Sequence, residues 1–396
     1  MTAERRRTQV AIIGGGPAGM LLSHVLSLNG IDSIVLERRS REHVQGRIRA
    51  GVLETGSARF LRDVGLGANM DHHGHRHDGV SIAWQDKPEF LIDTKRHVGL
   101  SMIAYGQTAL TADLYAVREA AGAEIRDHVA DVRLHDLTTH RPGVDCVHRG
   151  RPLTIDCDFI AGCDGFHGVS RRSIPDRVRQ DYERVYPFGW LGVLAEVPPL
   201  DRFIYARHER GFALAAQRGP SLSRYYIQVP SGTTTGEWPD DRFWRELVRR
   251  FPDPMSTAIE AGPTIEKSIA PLRSFVSEPM RYGRLFLCGD SAHIVPPTGA
   301  KGLNLAISDV FYLARALDWH YRKQDDGYLD CYSETALRRV WGATRISWWL
   351  TWLLHRFPDR SAFDDRLSEN EYDHLLASEH AQRWLCEQYA GLPYEA

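Results

Sequence analysis

Cysteine is scarce and scattered in this 396-residue chain: Cys146, Cys157, Cys163, Cys288, Cys331 and Cys386 form no CxxC pair. Neither a zinc ribbon nor a dense disulfide scaffold is indicated, and reduced thiols in a cytoplasm fit this usage. An excess of charge of either sign is also missing. Lys plus Arg (49) nearly cancels Asp plus Glu (51), for a formal net charge of −2. No global basic field is therefore present to hold nucleic acid or an anionic membrane, and any anion site must be local. Long apolar runs are lacking. Met1–Arg7 is polar and basic, without the apolar stretch of a secretory signal, and Ile346–Leu354 is too short to span a bilayer. With no fixed-period repeat or low-complexity tract, solenoids and propellers are set aside.

What remains is an average globular composition, 43% hydrophobic and 25% charged. The chain is too long for one ordinary core, so two or three units sharing a ligand are expected. Val10–Ile13 is a short apolar run ending in Gly14-Gly15-Gly16-Pro17-Ala18-Gly19. A helical stretch follows to Asn29, Gly30 stops it, and Ser33 to Glu37 resumes as a strand. Gly14-x-Gly16-x-x-Gly19 inside such a βαβ unit is a dinucleotide-binding fingerprint. The glycines permit a tight turn and a close backbone approach, and the helix N-terminus presents N–H groups to a pyrophosphate. Glu37 would accept from a ribose hydroxyl. Its carboxylate disfavours a 2′-phosphate, so the cradle suits FAD or NAD rather than NADP. The alternative is glycines that serve only the turn.

Val80 to Thr94 reads as an antiparallel hairpin, and Phe203–Ala206, Phe212–Gln217 and Arg224–Val229 as a meander. After a strand at Arg284–Leu287 the chain is expected to be helical to its end. Trp341, Trp348 and Trp352 share one helix face there, for a core or a subunit interface. Two more strands each deliver an Asp beside a glycine, Asp164-Gly165 and Gly289-Asp290. That arrangement suits a carboxylate on a ribityl or ribose hydroxyl, though either alone could be an ordinary strand exit.

With GxGxxG, DG and GD in this order, the chain resembles the class A flavoprotein aromatic hydroxylases. The likeness extends to Gly46–Glu54, Tyr105–Thr108, Ser268–Phe275, Ala292–Asn304 and Gly391–Glu395, covering essentially the whole chain, and points to the members that act on 4-hydroxybenzoate. The resemblance implies an α/β fold. Its parts are a Rossmann-like FAD-binding domain (1–180, with an inserted hairpin near 79–94), an antiparallel β-sheet substrate domain (181–268), and a helical C-terminal region (269–396) with the flavin-contacting GD segment. It also implies FAD as cofactor, NADPH or NADH as co-substrate, and a homodimer. It implies further that oxygen would be trapped as a flavin C4a-hydroperoxide and one atom inserted at C3 to give 3,4-dihydroxybenzoate.

A phenol attacks electrophilic oxygen far better as a phenolate, so the site needs a route for its proton. The family pattern places that route on Tyr205, Tyr389 and His77. His77 lies in Asp71–Asp78, a His-rich stretch otherwise readable as a metal cluster or a solvated loop; the resemblance requires no metal. A substrate carboxylate calls for a forked cation, for which Arg218 is the choice. Strand alternation sets Ala216 and Arg218 on one face and Arg224, Tyr226 and Gln228 on one face of the next strand. The family uses the counterparts of Arg218 and Tyr226 on the carboxylate, but carries a serine where this chain has Ala216. Pro297 would offer its carbonyl to the substrate hydroxyl. Thr298, Lys301, Gly302, Leu303 and Asn304 shape the loop near the flavin. Arg49 and Gln107 match FAD-holding residues, and Arg224 one that steadies the flavin ring. Arg38, Arg39 and His43 would read the nicotinamide coenzyme, or form a charged surface helix. A related benzoate, 3,4-dihydroxybenzoate or 4-aminobenzoate, is the alternative substrate. A flavin-binding regulator without turnover and a plain NAD-dependent dehydrogenase are alternatives of other classes.

Overall fold

Val10–Ile13 is buried at all four positions, as expected of a strand covered on both faces. In the computed structural model, which describes residues 4–46 and 51–394, this strand is central to a six-stranded sheet. Phe159–Gly162 and Ser33–Leu36 flank it in parallel register, and Leu285–Leu287 and Glu124–Arg126 extend the parallel array. Arg281–Tyr282 closes one edge antiparallel. The connecting helix Pro17–Leu28 starts with Gly16 as N-cap and proline at its first position, where the missing N–H costs nothing. It packs against the helices Gln107–Ala120 and Gly302–Lys323.

The second large sheet has eight strands. Gln180–Ala195 pairs with Thr264–Glu278 on one side and Leu222–Pro230 on the other. Gly211–Gly219 and Ile204–His208 continue the antiparallel meander. Alternation divides its side chains between two cores. Tyr205, Phe212, Leu214 and Ala216 face the C-terminal helices, whereas Ile204, Ala206, Ala213, Ala215, Tyr225 and Ile227 face the helix Asp240–Arg249. The hairpin Gly79–Trp84 and Phe90–Asp93 forms as expected, but its first strand runs parallel to Ile204–His208. It is the edge of this second sheet rather than an ornament of the nucleotide unit. Its buried face (Val80, Ile82, Trp84) is completed only by the substrate-side core.

Four helices, Gly302–Lys323, Gly327–Leu354, Ala362–Ala377 and Glu379–Ala390, finish the chain. The three tryptophans expected on one face of the second helix divide. Trp341 and Trp348 are exposed, while Trp352 is half-buried beneath the Arg360 guanidinium. No helix among the described residues is long and apolar enough to cross a membrane.

Candidate active site

At the C-terminal ends of the parallel strands, two glycines of the fingerprint are dictated by the chain itself. A Cβ on Gly14 (φ +109°) would lie 2.3 Å from the Cys163 carbonyl oxygen, and one on Gly19 would lie 2.0 Å from the Gly14 carbonyl oxygen. A Cβ on Gly16 would meet nothing within 4 Å, so that glycine keeps the helix N-terminus open to a ligand. Glu37 closes the turn: its two carboxylate oxygens accept from the Gly15 N–H (2.7 Å) and the Arg39 N–H (2.8 Å). Each oxygen keeps a lone pair for a ribose hydroxyl.

Asp164 accepts through Oδ2 from the Ser170 N–H and hydroxyl (2.9 and 3.0 Å), while its Oδ1 is buried with no partner. Burial raises the pKa of this carboxyl. Asp290 sits half-buried in the turn Gly289–Ser291. Gln107 opens the helix Gln107–Ala120, and a Cβ on neighbouring Gly51 would strike the Tyr105 carbonyl oxygen at 2.1 Å. The open glycine, the helix N-terminus and the orphaned carboxylate oxygen fit a dinucleotide such as FAD. Arg49 lies outside the described residues. Arg38, Arg39 and His43 are exposed, the last on the short helix Arg41–Gln45 capped by Ser40.

The tyrosines come together in the second core. Tyr205 and Tyr389 are both buried, with their hydroxyls 3.1 Å apart. The Tyr205 hydroxyl also donates to the Thr298 carbonyl at 2.6 Å. It has one proton, so Tyr389 is the donor in the tyrosine pair. Burial lifts the Tyr205 pKa well above the usual phenol value, and the nearby Tyr389 adds to this. Burial holds Tyr389 at about 12. Pro297 is exposed at the head of the turn Pro297–Gly299. Its carbonyl accepts from the Ala300 N–H at 2.9 Å, so the carbonyl that meets a tyrosine here is that of Thr298. The reason is geometric: a 3₁₀ turn directs its first carbonyl forward, onto the N–H three residues on.

Arg218 approaches the same face through a bulge. Gln217 pairs with Ser223 and Gly219 with Leu222, which leaves Arg218 unpaired between them. Its Nη1 donates to the neighbouring Gln217 carbonyl at 3.3 Å, and among the described residues no carboxylate pairs with its guanidinium. Ala216 is buried opposite Arg224. Arg224 lies over the Tyr226 ring at 5.1 Å and spends one nitrogen on Glu266 and Ser268, while its Nε and Nη1 are buried without partners. Gly192 makes room for this stack, since a Cβ there would be 2.6 Å from Tyr226. The structure does not bond His77 to either tyrosine. Its Nε2 is buried without a partner, and burial, His75 and Arg218 all lower its pKa.

Lys301 and Asn304, expected beside the flavin, are spent on the protein. Lys301 Nζ holds Glu54 (2.8 Å) and the Tyr389 carbonyl (2.8 Å). Asn304 accepts from the Glu54 N–H and donates to the Val52 and Ala300 carbonyls. Gly302 and Leu303 open the helix Gly302–Lys323 between them. Sequence reasoning missed Glu54 and Arg339, which share this knot, and the buried pair His293–Asp309 (2.7 Å), which also holds the Gly289 N–H. The available signal was a single carboxylate after the apolar Val52-Leu53. Among the described residues no cluster of His, Cys, Asp or Glu could hold a metal ion.

Residues 7–347 match the family model described as an FAD binding domain. The chain is 49% identical over 391 residues, 98% of it and 96% of the relative, to a p-hydroxybenzoate hydroxylase of Acinetobacter baylyi. It is 29% identical over 347 residues, 80% of it and 74% of the relative, to a kynurenine 3-monooxygenase of Salinispora tropica. The crystal structure of p-nitrophenol 4-monooxygenase from Pseudomonas putida superposes with a TM-score of 0.81 at 18% identity, covering 98% of this chain and 99% of that one, a likeness of fold.

Proposed function

The chain belongs to the FAD-binding-domain hydroxylase family represented by p-hydroxybenzoate hydroxylase, and from that membership we propose that it hydroxylates 4-hydroxybenzoate at C3 to 3,4-dihydroxybenzoate. Bound FAD would take reducing equivalents from NADPH or NADH and deliver one atom of O₂ to the ring. The open cradle at Gly16 and the acidic groups Glu37, Asp164 and Asp290 would hold it, with Gln107 on its flank.

One observation carries the reading: a buried phenol, Tyr205, lies between a second phenol and a carbonyl, on the sheet face where Arg218 has no carboxylate of its own. Arg218 and Tyr226 would take the substrate carboxylate, a bidentate acceptor matched by a planar fork. The substrate hydroxyl would then meet Tyr205, which can accept its proton while passing its own to Tyr389, which gives up its proton in turn. His77, held neutral by burial, is the next acceptor toward solvent, reached through water. Thr298 and Pro297 would form the wall on the ring's far side, and the two unpartnered N–H groups of Arg224 would serve the flavin.

Ala216 favours a second reading, turnover of 3,4-dihydroxybenzoate or 4-aminobenzoate. A methyl group gives the carboxylate no hydrogen bond, at a cost of about 1.5–3 kcal/mol relative to serine. Six unpaired cysteines suit a cytoplasmic enzyme, and exposed Trp341 and Trp348 suit a homodimer.

The test is oxidation of NADH and of NADPH by the yellow holoenzyme with and without 4-hydroxybenzoate, with the product identified by chromatography. Stimulation with 3,4-dihydroxybenzoate formed supports the reading and identifies the coenzyme. No stimulation by 4-hydroxybenzoate, but stimulation by a related benzoate, transfers it to the second.

A further inference from the structure

The turn that faces Tyr205 is held from behind by the helix Gly327–Leu354. Thr351 Oγ1 lies 2.7 Å from the Ser347 carbonyl oxygen, an atom that can only accept, so the Thr351 proton is committed there. Thr351 Oγ1 also lies 2.9 Å from Thr298 Oγ1. The Thr298 hydroxyl must therefore donate to Thr351. Both threonines are fully buried, so no water competes for these bonds. The contact is close on both sides, since a Cβ on Gly299 would come 2.6 Å from Ser347 Oγ. The Thr351 carbonyl in turn accepts from His355 Nδ1 (3.0 Å), whose ring stacks against Phe188 and Phe212. Thr351 thus stands on a rigid support.

The residue so held, Thr298, presents its carbonyl to the one proton of Tyr205. That proton cannot point at Thr298 and at the same time join a relay through Tyr389 or bond a phenolate. We propose that Thr351 is a positioning residue: by fixing the Thr298 side chain it holds the Thr298 carbonyl as the resting acceptor of the Tyr205 proton, which opposes premature ionisation of the bound phenol. The carbonyl competes directly with the phenolate for one hydroxyl, so the tightness of the turn sets the pH at which the substrate ionises. No bond other than O–H is made or broken: the phenol proton passes to the Tyr205 oxygen, the Tyr205 proton leaves the Thr298 carbonyl for Tyr389, and Tyr389 releases its own proton through water toward His77. The proposal rests on the phenol-hydroxylating reading for its second readout only.

The experiment compares holoenzyme carrying Thr351→Val, which keeps the shape and removes the hydroxyl, with Thr351→Ser, which restores it. Without substrate, amide hydrogen exchange at residues 298–300 is expected to quicken by about fivefold in T351V and to return to the wild-type rate in T351S. With 4-hydroxybenzoate bound, the pH of half-ionisation, read from the phenolate absorbance, is expected to fall by roughly half a unit in T351V, with KM little changed. Wild-type exchange in T351V overturns the proposal. So does faster exchange with an unmoved or raised ionisation pH. Failure of the functional reading would show instead in the wild-type enzyme, as absence of a phenolate signal, and the exchange comparison would still decide whether Thr351 holds the turn.

Discussion

Glu54 and Lys301, 247 positions apart in the chain, meet at 2.8 Å in a region where their side chains are 4% and 3% exposed. The second Glu54 oxygen takes Arg339 at 2.5 Å, and Lys301 also holds the Tyr389 carbonyl. Gly391, with φ +94°, passes so close that a Cβ there would be 2.1 Å from Glu54 Oε2. This knot ties the C-terminal segment that carries Tyr389 to the strand Val52–Leu53 and to the start of the helix Gly302–Lys323.

The two charges of the knot are not equivalent. Glu54→Gln leaves two buried cations, Lys301 and Arg339, facing one neutral amide, and is expected to cost about 3–5 kcal/mol. Lys301→Met leaves Glu54 paired with Arg339 and is expected to cost clearly less. Urea titration of the two variants at one pH checks the order; equal losses would show that Arg339 does not share the carboxylate.

Tyr205→Phe removes the hydroxyl that bridges Tyr389 and the Thr298 carbonyl. The expected outcome is a fall in kcat of about a hundredfold or more, with aromatic acid binding nearly intact, because the lost step is proton removal. Tyr389→Phe should give a smaller loss. Steady-state kinetics with a separate binding titration read the two effects apart.

Arg218→Ala is expected to raise Kd for 4-hydroxybenzoate by about ten- to a hundredfold, the worth of a charge-assisted bond. Arg218→Lys should recover little, because a point charge does not reproduce the fork. Ala216→Ser is expected to tighten binding by up to about tenfold. Flavin fluorescence titration of all three variants measures these shifts, and a slack response at Arg218 would remove it from the carboxylate site.

His355 supplies a pH signature. It is fully buried and its pKa is lowered by that burial to about 3 from 6.5. Its Nε2 accepts from the Trp190 indole N–H at 2.7 Å. Above pH 6.5 the ring is neutral in the folded and unfolded chain alike, so it adds no pH dependence. Between pH 6.5 and 3 the unfolded chain binds a proton that the folded one refuses, and stability falls with pH. The slope is about 1.4 kcal/mol per pH unit from this residue. Denaturation midpoints across that range should be shallower by this amount in His355→Gln.

The βαβ unit, the glycines of the cradle and the meander could be read from the sequence because each is set by neighbours in the chain. An apolar run, a helix stop at Gly30 and period-two alternation act over a few residues. Gly14 and Gly19 are needed where they stand because backbone passes within 2.3 Å and 2.0 Å of their missing Cβ atoms.

The tertiary structure alone decided how these pieces serve the site. The hairpin Gly79–Trp84 and Phe90–Asp93 belongs to the second sheet because its apolar face is completed only there. Arg218 is released from its ladder by a bulge, a register event that alternation along one strand cannot reveal. Lys301 is bound to a carboxylate 247 positions away, and Tyr205 finds a carbonyl 93 positions on. A hydrogen bond is directional and short, so which donor meets which acceptor depends on ångström-scale packing of distant segments. The sequence determined the strands, the turns and the chemistry available, and only the packed fold assigned each proton its acceptor.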